Sequence, residues 1–483
     1  MSAILGTGCR HNPLAQRKEW SITMKATAIR RTLALMAACA LTAGLLTACG
    51  NKTEGDPSKE GSDTMSSSDS LSSMEEKVSG TESSPSDGTS SPVSGTTTDG
   101  GPDAPGTTTA PTDPPDVSEL EQDIAFYQEI LDTEIRWLAS MQLDNGALPM
   151  TAVKDGNVTM NPYFADFAAL GILEGDSSGH AVVKKYMDWH FAHLNTAETD
   201  YNGVDGTIYD YTLTVSGGKV TKEQVNINDQ GKKSYDSTDS YAATFLCVLW
   251  KYSQKSGDNA YIVSHAAEIH RILNAMYATM DNNLTMAKPD YQVKYLMDNC
   301  EVYEGLVAAV HLYEDILAPG GAGDAAMLSR LKADKQKVAD AIEQQMWNSA
   351  GYYEAGLFKD GSVAYAFSWD SFYPCATAQL FPVICGLISP GSARAQNLYD
   401  SFNRYYSTGE SQHDWVNMDI PDAFYWCSLV QAGALMGDDV RVKTYMTNYK
   451  KVMRTHAYPL YNAEAGRVCI AASIMLQRLK AQL

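Results

Sequence analysis

The sequence predicts an all-α domain over residues 117–483, six helical hairpins closed into an (α/α)6 toroid with small β-hairpin insertions in the loops of one face. Three observations predict it: two kinds of helical segment alternate down the chain, long and short links alternate between them, and acidic and aromatic residues collect where the long links end. The first kind of segment is amphipathic, with charges on one face: Glu119 to Met141, His180 to Leu194, Asn259 to Met280, Asp324 to Trp347, Ala393 to Tyr406 and Asp438 to His456. The second is apolar or small nearly all round: Pro162 to Leu173, Ser237 to Tyr252, Asn299 to Leu317, Asp370 to Leu387, Ile420 to Met436 and Ala463 to Leu479. A helix apolar on every face has to be buried, and a striped one sits outside it, so the order reads as six outer-inner pairs.

The links agree. Inner-to-outer links are short and marked by Gly or Pro, as at 175–179 and 319–323, whereas outer-to-inner links such as 143–161, 195–236, 348–369 and 408–418 are long. In such a toroid the long links share one face, and long loops gathered on a rigid scaffold usually carry function. Two of them have hairpin character: Thr207 to Val215 alternates polar with apolar before Gly217-Gly218, and Tyr352 to Ala366 holds Lys359-Asp360-Gly361 between apolar runs.

Ahead of this domain the chain reads as targeting and spacing. Residues 1–23 lack signal character, so translation is expected to start at Met24. Residues 24–48 run from a basic segment into the apolar stretch Thr32 to Thr47, a signal peptide in form. The segment ends in Leu46-Thr47-Ala48-Cys49 and resembles the lipobox of bacterial lipoproteins. That resemblance implies lipidation of Cys49 and a domain anchored to the extracytoplasmic face of the cell membrane. Residues 49–116 are dominated by Ser, Thr, Gly, Pro and Asp and cannot bury enough surface to offset chain entropy, so a disordered tether is expected.

The net charge of −21 argues against nucleic acid or anionic lipid as a partner. Six of the nine cysteines (Cys247, Cys300, Cys375, Cys385, Cys427 and Cys469) fall in the domain without a C-x-x-C pair, mostly in apolar runs, and read as buried thiols with room for a disulfide or two. No His-Glu-x-x-His or paired-Cys pattern suggests a metal, and no cofactor motif occurs. A monomer is expected.

The starts of the inner helices carry the chemistry. The second opens on Tyr235-Asp236-Ser237-Thr238-Asp239-Ser240, the third on Asp298-Asn299-Cys300-Glu301, the fourth on Trp369-Asp370-Ser371 and the fifth on Asp419-Ile420-Pro421-Asp422. The first adds Asn161-Pro162-Tyr163 and Asp166, and the sixth Tyr461-Asn462-Ala463-Glu464. An Asp followed three residues later by an acid also suits a helix cap, but a cap occupies one carboxylate of each pair. Asp236, Asp298 and Asp419 are therefore expected as caps, which leaves Asp239, Glu301, Asp370 and Asp422 free as candidate catalytic acids. Glycoside hydrolysis needs one carboxyl held protonated and another ionised, which crowding at a ring mouth can produce. Tyr163, Tyr235, Asp236, Asp298, Trp369, Tyr373 and Trp415 are the candidate substrate-binding residues, flat rings for sugar faces and acids for hydroxyls.

This alternation, with its acidic and aromatic inner-helix starts, resembles the six-hairpin glycosidase superfamily over most of residues 117–483. Asp236-Ser237-Thr238-Asp239-Ser240 is similar to the inner-helix start of family 8 and debranching-type members, which implies a sugar-holding or catalytic role at Asp239. The resemblance implies an oligo- or polysaccharide substrate cleaved by carboxylate acid-base catalysis outside the cytoplasm. Two other classes compete. A non-catalytic glycan-binding lipoprotein would keep the aromatics without a working acid-base pair, and a sugar epimerase or polysaccharide lyase needs His, Tyr or Arg at the mouth for proton abstraction. His190, His193, His265, His270 and His456 fall on outer helices and His311 deep in an inner one, which leaves only His413 well placed.

Overall fold

A computed structural model of the protein describes residues 117–228, 231–407, 411–457 and 460–483. The expected start extension, signal peptide, Cys49 lipid site and tether lie outside the described residues. The first hairpin is α1 (Val117–Ser140) and α2 (Pro162–Ile172); the second is α3 (His180–Ala192) and α4 (Asp239–Ser256). The third has an outer helix broken at His265 into α5 (Asn259–Ser264) and α6 (Ala266–Ala278), followed by α7 (Leu296–His311), which runs on through a π-helical turn to Leu317. The rest are α8 (Ala325–Ala341) with α9 (Phe381–Ile384), α10 (Ala393–Tyr406) with α11 (Ser428–Met436), and α12 (Asp439–Met453) with α13 (Asn462–Lys480).

Each inner helix packs on the next, α2 on α4, α4 on α7, α7 on α9, α9 on α11, α11 on α13 and α13 back on α2, so the ring closes. Burial follows the two sequence patterns. In α1 the buried residues Leu120, Tyr127, Ile130, Leu131, Glu134 and Leu138 form one stripe, whereas α13 buries residues on every side, from Ala463 through Val468, Cys469 and Met475 to Leu479. At roughly 1.5–3 kcal/mol per fully buried large apolar side chain, the inner ring is where the fold gains most of its stability. The closing contact depends on small residues. A Cβ on Gly466 would lie 2.1 Å from the Phe167 carbonyl oxygen, and one on Gly171 2.5 Å from the Gly466 Cα, so α2 and α13 approach as closely as they do only because both positions are glycine. Outside, α12 and the turn that follows it meet α1 through Lys450–Glu129 at 2.7 Å and His456–Glu134 at 3.0 Å.

Strands form in both expected loops, and further short strands join them from neighbouring loops. β1 (Gly156–Met160), β2 (Tyr211–Ser216) and β3 (Lys219–Val225) form an antiparallel sheet in that order, β2 turning into β3 through Gly217-Gly218 at positive φ. The second predicted hairpin turns at Lys359-Asp360-Gly361, where Phe358 accepts from the Gly361 amide at 2.9 Å and donates to Ser362 at 2.8 Å, and Gly356–Phe358 also pairs with Val293–Tyr295.

Two inner helices depart from expectation. The fourth was predicted to start at Asp370, yet it begins as an irregular turn at Phe372–Ala376 and is helical again only over Phe381–Ile384. Pro374 and Pro382 each remove a backbone donor and crowd the preceding turn. The fifth was predicted from Ile420 but starts at Ser428, and Pro421 lies inside the segment that stays a loop. The cysteines Cys247, Cys300, Cys375, Cys385, Cys427 and Cys469 are free thiols, all buried except the half-buried Cys247. No helix among the described residues is long and apolar enough to cross a membrane.

Candidate active site

The long loops and the starts of the inner helices share one end of the ring, and the first three hairpins build an enclosed acid network there. Asn161 caps α2, its Oδ1 accepting from the Phe164 amide at 3.1 Å, with Pro162 at the first helical position where no donor is needed. The Asn161 side-chain amide donates to the Asp210 Oδ1 at 3.0 Å and to the Tyr241 hydroxyl at 2.6 Å, and Tyr241 donates to the same Asp210 oxygen at 2.8 Å. Asp210 sits just before β2 and is held by its backbone, which donates to Ser234 at 2.9 Å and accepts from Asn226 at 2.8 Å. Its Oδ1 takes both side-chain donors, which leaves Oδ2 to carry a proton. Burial pushes this carboxyl up to about 8, against the Tyr241 hydrogen bond that favours the ionised form, with the charge of nearby Asp236 raising it further.

The ring of Tyr241 stacks against that of Tyr163 at 6.3 Å, and Tyr163 donates to Glu301 Oε1 at 2.6 Å. Behind them Arg467 of α13 lies 3.7 Å from Glu301 and 3.4 Å from the Tyr163 oxygen, donates to Gln431 at 3.0 Å, and rests its guanidinium over the Phe167 ring. Burial pushes the Glu301 carboxyl up to about 7, while Arg467 and the Tyr163 hydroxyl pull it back. Two carboxyls with pKa values moved into the neutral range thus stand on neighbouring phenols, Asp210 at the rim and Glu301 on the floor. Exposed Asp236, whose amide hydrogen-bonds the Tyr241 oxygen at 3.3 Å, lies beside them.

Other acids lie beneath the mouth. Asp166 is fully buried, accepts from Tyr186 and Thr244 at 2.7 Å each, and is raised well above the usual carboxylate range by burial. Asp239, expected as a catalytic acid, is fully buried as well. Its Oδ1 accepts from Ser237 at 2.5 Å and from the Ser240 amide at 2.9 Å. Burial raises its pKa, and half-buried Asp298 on the next helix is raised well above its ordinary value by burial and then by the Asp239 charge. With the residue 0% exposed, the Asp239 carboxyl is covered in this arrangement rather than facing the open mouth that its motif led one to expect.

The capping expectation is also overturned. Thr238 stands at the cap of α4 and Tyr295 at that of α7, neither making a side-chain cap bond, and Asp298 lies in the first turn of α7. Asp236 and Asp419 lie in loops, Asp419 facing His413 at 3.2 Å. The acids therefore do not divide into capping and spare members.

The fourth and fifth hairpins present a more open face. Asp370 is exposed, its amide bonded to Ser368 Oγ at 3.1 Å, and half-buried Asp422 accepts from Trp426 Nε1 at 2.8 Å. Half-buried Trp369 stacks on Tyr405 at 5.9 Å, and exposed Tyr373 lies 5.3 Å from Trp426. From there the rings continue as a chain: Trp426 stacks on Phe424 at 5.6 Å, Phe424 meets Tyr461 at 6.2 Å, and Tyr461 meets Phe164 at 5.7 Å beside Tyr163. Trp426 has φ of +47°, a conformation uncommon outside glycine, held where its indole completes this chain. Two expected sugar-binding rings do not belong to it. Trp415 is 1% exposed and spends its N–H on Asn403 at 2.9 Å, and Tyr235, also 1% exposed, is stacked among Tyr201 and Tyr209 with its oxygen on Asn202. Both are packing residues.

Asp210, Asn161 as a site residue, Phe424 and Phe164 were missed in the sequence. The one signal for Asp210 was an acid between two tyrosines at the start of an alternating run. Among the described residues no group of three His, Cys, Asp or Glu side chains is placed to hold a metal ion.

No protein-family model matches the chain, and no curated protein does. Solved structures similar in architecture are glycosidases. One described as a wild-type glycosidase matches at 11% identity and a TM-score of 0.48, covering 75% of this chain and 99% of its own. A novel alpha-amylase from Clostridium perfringens matches at 8% identity and 0.47, covering 72% and 97%. A GH63 mannosylglycerate hydrolase from Thermus thermophilus in complex with glucose matches at 10% identity and 0.47, covering 70% and 99%. Likeness this distant assigns no role to any residue of this chain.

Proposed function

We propose that residues 117–483 form a glycoside hydrolase in which Asp210 is the general acid and Glu301 the general base. The observation that carries this reading is the pair itself: two enclosed carboxyls, raised to about 8 and about 7, held on the stacked phenols of Tyr241 and Tyr163 beside a rim of aromatic rings. At neutral pH Asp210 is mostly protonated and Oδ2 can donate to a leaving glycosidic oxygen. Glu301, with the Arg467 cation and the Tyr163 hydroxyl favouring its ionised form, takes a proton from the attacking water. Water adds to the anomeric carbon, the glycosidic C–O bond breaks, the water proton goes to Glu301 and the Asp210 proton goes to the departing oxygen. Tyr373, Trp426, Phe424 and Tyr461 supply flat apolar surface for sugar rings, and Asp236, Asp370 and Asp422 supply acceptors for hydroxyls.

In the same reading Cys49 carries a lipid that holds the domain at the extracytoplasmic face of the membrane, on the strength of the Leu46-Thr47-Ala48-Cys49 sequence. A hydrolysis screen of residues 117–483 against a glycan panel tests the enzyme. Release of reducing ends from one glycan class, lost in Glu301→Gln, supports it; binding of glycans without cleavage leaves a carbohydrate-binding protein instead. Palmitate labelling of the full chain, lost in Cys49→Ala, tests the anchor.

A further inference from the structure

Behind Glu301 the bore of the ring opens again. A cavity of about 230 Å³ lies among the second halves of the inner helices, walled by Phe167, Leu170, Trp250, Val307 and Ile470, and both Glu301 and Glu304 line it. Glu301 to Ala308 is seven residues, so the cavity extends roughly 10 Å along α7 at 1.5 Å per residue. Glu304 is exposed although protein surrounds it, and Cys247, Trp250, Val307 and Ile470 keep partial accessibility on the inward faces of their helices. The rear well is therefore open to solvent. Glu301, only 4% exposed, lies between the well and the mouth, one helical turn above Glu304 and near it in space.

We propose that Glu304 is a positioning residue for Glu301, taking up the proton that Glu301 gains from the attacking water, and that the rear well is the route by which water and protons reach this pair while carbohydrate fills the mouth. This rests on the hydrolase reading of the preceding section. The chemistry balances: the protonated Glu301 carboxyl passes its proton to the Glu304 carboxylate directly or through water in the well, and Glu304 releases it to solvent. Asp210 regains its own proton from solvent on the mouth side. Glu304 meets the Cys385 thiol, and the neighbouring charged groups are engaged with other partners. Glu174 is tied to Lys251 and accepts from Ser473 at 2.7 Å, and Arg467 is engaged by Glu301, Tyr163 and Gln431.

Facing the pair from the other elements are Tyr163 and Asp166 on α2, Glu174 just after it, Cys247 and Lys251 on α4, Cys385 just after α9, and Arg467 on α13. On α7 itself Asp298 adds a further acid. Burial raises Glu304, offset by Arg467, the Cys385 thiol and Lys251, and the Glu304 charge in turn raises Glu301.

The test is a side-chain titration that needs no substrate, followed by kinetics. In the domain labelled with 13C at glutamate carboxyls, with Glu301 assigned through Glu301→Gln, Glu304→Gln should lower the Glu301 midpoint by about half a unit or more, and Glu304→Asp should restore part of it. On a glycoside that the wild type cleaves, Glu304→Gln should move the acid limb of the rate profile to lower pH by the same amount and reduce kcat roughly tenfold, with KM little changed. An unmoved midpoint, or an unmoved kcat and acid limb, overturns the proposal. A wild-type domain that cleaves no glycan sinks the hydrolase reading, and with it the relay, whatever the titration shows of the contact between the two glutamates.

Discussion

The two halves of the mouth are built differently. Hairpins one to three hold their acids inside a hydrogen-bonded frame, where Asp210 and Glu301 each accept from a phenol. Hairpins four and five, whose inner helices are broken, set Asp370 and Asp422 in loops beside partly exposed rings. A carboxyl acquires an unusual proton affinity only where solvent is excluded and its donors are fixed, so regular, tightly packed inner helices are suited to proton transfer and interrupted ones to gripping sugar.

The largest expected effect separates the halves directly. Asp210→Asn and Glu301→Gln should each lower kcat by roughly 10²- to 10⁴-fold with the fold intact, while Asp370→Asn and Asp422→Asn should stay within about tenfold of wild type. Steady-state kinetics with circular dichroism melts checks both arms, and equal losses in all four would erase the distinction between halves.

The enclosed half also depends on the α2–α13 contact, since Gly466 precedes Arg467. Gly466→Ala forces the two backbones apart and should cost about 1–3 kcal/mol of stability, read by denaturant unfolding. Val440→Ala, at an exposed position of the outer helix α12, should cost well under that and serves as the control.

On the open side, Tyr373→Ala and Trp369→Ala should raise KM roughly tenfold, the equivalent of ~1.4 kcal/mol, with kcat held within about twofold. A fall in kcat with KM unchanged would place chemistry on this side.

The smallest and most specific effect is in pH. With the base near 7 and the acid near 8, the rate should follow a narrow bell between those limbs. Stability moves too. Both carboxyls bind protons more tightly folded than unfolded, so their contribution is complete below about pH 4 and is lost as pH rises through 7 to 8. Between pH 5.5 and 8.5 the double variant Asp210→Asn, Glu301→Gln should therefore show a flatter decline in thermal midpoint than the wild type.

The ring was legible in the sequence because buried and half-buried helices differ in period, and the contrast between α1 and α13 is visible in their residues alone. The breaks at the fourth and fifth inner helices were less so. Pro374 and Pro382 lie in apolar stretches that stay largely buried where the helix breaks, whereas Pro421 lies in a loop that is partly exposed. Within the site, Tyr163 and Glu301 were found because helix starts were searched for acids and rings. Asp210 was missed because it belongs to a loop strand that reaches the mouth only through folding, and Asp239 was overvalued because a motif does not reveal that its carboxyl is covered. Trp415 and Tyr235 failed for the same reason: position at a loop-helix junction says nothing about which side of the ring a side chain faces.

The most direct measurement of the central claim is a crystal structure of the Glu301→Gln domain with an uncleaved oligosaccharide from the class that the wild type hydrolyses. The account predicts a glycosidic oxygen within hydrogen-bond reach of Asp210 Oδ2, residue 301 on the opposite side of the anomeric carbon, and sugar rings laid along Tyr373, Trp426 and Phe424. A scissile bond seated against Asp370 or Asp422, with Asp210 and residue 301 out of reach, would contradict it.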